Sequence, residues 1–111
     1  MMPGYRGDQY KVRVSNRELE KLRRWGQWAA ETGVLNDYLV ALKTVNYRLA
    51  FEPLEWGEPK YTVRKMNLAV RFGTFKMLNV WYGVHLQRPL VFVKIFQFRG
   101  DYPVGHPPET P

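Results

Sequence analysis

The sequence predicts an α+β fold in the order β-α-α-β-β-β, with a helical hairpin packed on one face of a small, twisted, mainly antiparallel sheet. Three observations predict it. Apolar residues recur at helical spacing from residue 15 to about residue 51. Aromatic and β-branched residues crowd residues 10–14 and 61–98. Between the helical run and the later strands lies a turn-rich connector, EPLEWGEPKY, holding Pro53, Gly57 and Pro59. With 111 residues, the chain is long enough for one core and too short for two. The expected organisation is a leader at 1–9, one domain at 10–99 and a proline-rich tail at 100–111.

YKVRV (10–14) alternates and reads as a short strand. Ser15 then opens a helix, with Glu18 three residues on at capping-box spacing. Leu19, Leu22, Trp25 or Gly26, and Ala29 follow at helical spacing, and Gly33 suits the left-handed position that ends a helix. Arg17, Lys21, Arg23 and Arg24 fill the flanks, where their stems cover the helix sides. A second helix is expected from near Asn36-Asp37, with Leu35, Leu39 (with Tyr38), Leu42, Val45 and Leu49 as its stripe. It stops at Pro53, which disfavours the helical conformation for Glu52.

Beyond the connector, where Trp56 is expected to pin the loop to the core, residues 61–72 read as one strand with a bulge near Met66-Asn67. Residues 75–84 and 89–98 read as a hairpin joined by HLQR. In the last strand, strict alternation puts Leu90, Phe92, Lys94, Phe96 and Phe98 on one face and Val91, Val93, Ile95, Gln97 and Arg99 on the other. The aliphatic set and Trp81 are read as core. Asp8, Glu18 and Glu20 are read as solvated surface or ion pairs.

Charge is unevenly placed. The net charge is +7, yet residues 59–100 hold eight Lys or Arg and no Asp or Glu. A segment of that kind seeks phosphate or an acidic protein surface. No cysteine is present, which excludes disulfides, thiolate metal sites and a cysteine nucleophile. Two isolated histidines make no metal site, and no phosphate-binding glycine loop or Ser/His/Asp pattern occurs. No cofactor is expected. MMPGYRGDQYK carries no apolar signal region, and the longest apolar run, LVFVKIF, is broken by Lys94. The expectation is a cytoplasmic protein with no membrane partner.

The passage from YKVRV into a helical hairpin, then RLAFEPLEWGEPKYTVR, then NVWYGVHLQRPLVFVKIF, is similar to the RelE/ParE toxins of bacterial toxin–antitoxin modules. The resemblance spans roughly residues 10–99. It implies a basic concave sheet face, an acidic antitoxin as partner, and either mRNA cleaved on the ribosome or gyrase as target. It implies catalytic roles for Arg64 and Lys65 after the connector and for Arg99 at the end of the last strand. Lys60, Arg71, Lys76 and Lys94 are candidate nucleic-acid contacts, and Tyr102 and His106 are candidate contributors from the tail. The stretch KMLN departs from the family, offering Lys76 and Asn79 where an arginine is usual. Two function classes therefore stand: a ribosome-dependent mRNA endoribonuclease, and a non-catalytic binding protein, either of the gyrase-inhibitor type or a degenerate relative that binds an acidic protein partner. Cleavage through a 2′-hydroxyl needs a base, cations on the phosphate and an acid for the leaving oxygen. Arg64, Arg71 and Arg99 suit the cationic role. Lys65, Lys76, Lys94 and His106 suit the base by type.

Overall fold

In the computed structural model, which describes residues 9–103 and 105–108, a short strand leads into two helices and then four strands. These are β1 (Lys11–Arg13), α1 (Asn16–Thr32), α2 (Leu35–Phe51), β2 (Glu58–Val63), β3 (Leu68–Phe75), β4 (Leu78–His85) and β5 (Leu90–Phe98). The fold class is the one the sequence predicts. The leader falls outside the described residues except for Gln9.

Both helices begin and end for readable reasons. Ser15 caps α1, its Oγ accepting the Glu18 N–H at 3.2 Å. Gly33 closes it at φ 83°, a left-handed position where a side chain is strained. The two helices are held together by Tyr38, whose hydroxyl donates to the Leu22 carbonyl at 2.6 Å. Burial raises the Tyr38 pKa, so it stays a donor.

The sheet order is β1-β5-β4-β3-β2, with β1 parallel to β5 and every other pair antiparallel. Leu78, Val80, Tyr82, Val84, Val91, Val93 and Phe96 pack under Trp25, Ala29, Tyr38, Ala41, Val45 and Leu49 in one core. Helices cover that face alone.

Three strand expectations are corrected. First, residues 61–72 are not one strand. A 3-10 turn at Arg64–Met66, closed by Asn67 at φ 52°, folds them into the β2–β3 hairpin. Second, the strand expected to end at residue 72 runs on to Phe75, and the strand expected from residue 75 begins at Leu78, with the turn at Lys76-Met77. Gly73 lies inside β3 because the Trp56 ring occupies its side-chain space; a Cβ there would sit 2.6 Å from that ring. Trp56, as expected, packs its loop on the core, stacked on Tyr82 at 5.8 Å and 13°.

Third, strict alternation along β5 fails. Trp81 pairs with Ile95 and Tyr82 with Val93, so Lys94 is an extra residue. This bulge exchanges the faces beyond it. Phe96 and Phe98 join Val91 and Val93 on the helix side. There Phe98 meets the edges of Trp25 and Trp28 at 5.6 and 5.3 Å. Ile95 and Gln97 turn to the open side instead of the core.

Glu18 makes an ion pair, one of the two expected alternatives, but in the interior rather than as solvated surface. It is 5% exposed, and its carboxylate accepts the Phe96 N–H at 2.8 Å and pairs with Lys21 at 2.9 Å. β1 accompanies β5 only as far as Phe92, so among the described residues the edge beyond has no strand neighbour. Glu18 supplies the acceptor a strand would have supplied. Replacing Glu18 by Ala leaves a buried N–H unpaired and is expected to cost about 2–3 kcal/mol in urea unfolding. Glu18→Gln keeps an acceptor and is expected to cost less than half of that.

Candidate nucleic-acid interface

The face of the sheet away from the helices is set by register. Cross-strand partners put Thr74, Asn79 and Gln97 in one row. Phe72, Trp81 and Ile95 form the next row, and Val70, Gly83 and Phe92 the one after. Tyr61 extends that last row at the β2 edge and Arg13 at the β1 edge. Gly83 leaves room for Leu68, which lies over it, so Leu68 and Val70 are buried on a face that no helix covers. Around this floor stand the aromatics. Tyr61 is 51% and Phe92 38% exposed, and Phe72 and Trp81 lie half-buried with ring centres 4.8 Å apart. Trp81 is thus an open-face residue rather than core, and its strand neighbour Tyr82 takes the core position.

Cations border this aromatic floor. Arg13 lies beside Phe92 at the β1 edge. Lys94 is exposed at the bulge. Lys60 reaches over the Phe72 ring at 5.8 Å and pairs with Glu58 at 2.8 Å. Arg64 and Lys65 are exposed on the β2–β3 turn. Glu58, at the outer edge of the pairing, is the acidic residue that the strand register places on this face.

The remaining sequence candidates sit elsewhere. Arg71 pairs with Tyr82 on the helix side, and its guanidinium donates to the Gly57 carbonyl at 2.7 Å. The Tyr82 hydroxyl donates to the Pro53 carbonyl at 2.7 Å, so Arg71 and Tyr82 together hold the connector. Burial raises the Tyr82 pKa against the opposing effect of Arg71. Arg99 donates to the Lys76 carbonyl at 2.9 Å and to both Asp101 oxygens at 3.2 Å. It joins the β3–β4 turn to the tail. Tyr102 packs edge-on against Phe98 at 6.0 Å and donates to Asp37 at 3.4 Å. The Asp37 carboxylate adds to burial in raising its pKa. His106 is exposed, with Nδ1 3.1 Å from the Pro107 carbonyl.

Arg64, Lys65 and Arg99 are therefore not brought together. The first two lie at the Leu68 end of β3, and Arg99 lies at the Phe75 end. Seven residue steps at about 3.4 Å each put those ends roughly 24 Å apart. One phosphate cannot touch both. Sequence reasoning missed Arg13 and Trp81 on this face, since only strand register assigns them to it. Among the described residues no three His, Asp or Glu gather to hold a metal. No helix among them is long and apolar enough to cross a membrane. No protein-family model, curated protein or solved structure matches the chain.

Two outcomes follow. Arg71→Met removes the donor to Gly57 and is expected to lower the melting temperature by several degrees while leaving polyanion affinity within twofold. The Arg99 guanidinium holds the Asp101 carboxyl below the usual carboxylate range. A depressed carboxylate pKa makes the Arg99–Asp101 pair fully present above the ordinary Asp pKa and lost as pH falls through the depressed value. An acid titration followed at the Arg99 side-chain NMR signals is expected to show release only below the usual Asp range.

Proposed function

We propose that this chain is a RelE/ParE-type toxin-like protein of a toxin–antitoxin module, and that it binds single-stranded RNA on the open sheet face without cutting it. The observation that carries this reading is the uncovered floor of Tyr61, Phe72, Trp81 and Phe92, bordered by Arg13, Lys60 and Lys94. Stacking accepts any base, and flanking cations follow the phosphates, so this combination suits a flexible single strand. A duplex keeps its bases stacked on one another and offers no ring faces to such a floor.

Binding is favoured over cleavage because the cations that cleavage would use are far apart, and two of them are engaged. Arg71 is committed to Gly57, and Arg99 to Asp101 and Lys76. The target is then mRNA, free or on the ribosome, in the cytoplasm. An acidic antitoxin segment competes for the same cations.

The test is fluorescence anisotropy with labelled dodecauridylate. Arg13→Ala/Phe92→Ala is expected to weaken binding about tenfold or more, since a stacked base contributes roughly 1–3 kcal/mol. Affinity is expected to fall steeply with salt. The RNA is expected to emerge intact from the mixture and from translating ribosomes. Cleavage in either setting contradicts the non-cutting mode. Binding of an acidic peptide but not of the RNA makes this a protein-docking face, and inhibition of gyrase without RNA binding points to the other target.

A further inference from the structure

α2 is apolar on both sides. Tyr38, Ala41, Val45 and Leu49 face the core, as a helix on a sheet requires. Yet Leu35, Leu39, Val40, Tyr47 and Phe51, also on α2, are each 37–52% exposed. At about 100° per residue, Leu39, Lys43, Tyr47, Val40 and Phe51 fall within an arc of roughly 120°, opposite the buried arc. The Tyr47 and Phe51 rings touch along it, with centres 5.0 Å apart. α1 is built differently, since its outer face carries Glu20, Arg23, Gln27 and Glu31, all exposed. A helix that is apolar all round belongs in an interior, and an apolar patch of this extent marks a contact surface.

Size and charge select the occupant. At roughly 200 Å² for a large side chain, the exposed parts of the five apolar residues and the Lys43 stem come to about 500 Å². Two copies pairing through this face remove about 1,000 Å², the size at which specific interfaces begin. Lys43 is the charged member of the arc and makes no ion pair or hydrogen bond among the described residues. A two-fold axis through Lys43 would set two ammonium groups against each other. An axis level with Val45, with the helices antiparallel, instead sets each Lys43 against the partner's Tyr47 and each Leu39 level with the partner's Phe51. Lys43 then meets an aromatic ring, which attracts it. The same patch serves both copies, as a two-fold interface demands. We propose that α2 is the contact between two copies of this chain, packed antiparallel through Leu39, Lys43, Tyr47 and Phe51. Because α2 lies on the helix side of the sheet, the two open floors face outward on opposite sides of the pair and both stay free.

Sedimentation equilibrium of the full chain without RNA, from micromolar to several hundred micromolar, tests the pairing. A dimer with a dissociation constant below about 100 µM is expected, since an interface of this size sits at the weak end of the specific ones. Leu39→Glu/Tyr47→Glu is expected to weaken it at least tenfold, with the melting curve of the dilute chain unchanged because both side chains are exposed. The chain has no cysteine, so introduced thiols report the register. Oxidising a mixture of Lys43→Cys and Tyr47→Cys chains is expected to link one to the other, whereas Gln27→Cys on α1 stays unlinked. Arg13→Ala/Phe92→Ala is expected to dimerise as the wild type does, so failure here and failure of RNA binding on the open face are told apart. A monomer throughout the range overturns the proposal, whether α2 then docks another protein or stays bare. A dimer that survives Leu39→Glu/Tyr47→Glu, or that is lost in Arg13→Ala/Phe92→Ala, overturns it by placing the contact elsewhere.

Discussion

A single carboxylate decides how the sheet meets the helices. β1 is too short to accompany β5 to its end, and the Phe96 N–H beyond it must find an acceptor. Glu18 provides it from the first turn of α1. The same contact fixes α1 against β5 just past the Lys94 bulge, where Phe96 and Phe98 have turned inward. Trp25 and Trp28 close on Phe98, and Tyr102 closes on its other side. Lys21 neutralises the buried charge and keeps it from standing alone.

This arrangement also divides the basic residues by task. Arg71 and Arg99 are spent on carbonyls and a carboxylate that hold the connector, the β3–β4 turn and the tail. Arg13, Lys94, Arg64, Lys65 and Arg17 remain at the surface. The acid-free stretch at residues 59–100 is thus not one continuous binding strip. Some of its charge serves the fold, and the rest borders an open aromatic floor whose cationic rim is completed by Arg13 from outside the stretch.

Most of the fold is legible in the sequence because local rules decide it. Ser15, Gly33 and Pro53 mark helix boundaries through caps and forbidden angles, and the apolar stripes name the buried faces in part: Leu22, Trp25, Ala29, Leu42, Val45 and Leu49 pack inward, whereas Leu19, Leu35 and Leu39 are exposed and Tyr38 and Ala41 take the inner face of α2. What the sequence hides is long-range. The Lys94 bulge has no composition signal, yet it moves Phe96 and Phe98 to the core side. Gly73 looks like a turn former and is a strand residue, because Trp56 needs its space from 17 positions away. Glu18 looks like a capping-box surface residue, and its partner lies 78 positions on. The site suffers for the same reason. Which face Trp81 takes depends on a register that a one-residue slip reverses. Whether an arginine is free depends on carbonyls that no local pattern reveals.

Titration of the isotope-labelled full chain with unlabelled dodecauridylate, followed residue by residue by NMR, tests most directly whether the open face is the binding surface. Shifts concentrated on Arg13, Tyr61, Phe72, Trp81 and Phe92, with the helix side quiet, are the result the open-face reading predicts. Shifts confined to α2, or none at RNA concentrations where phosphate contacts saturate, would contradict it.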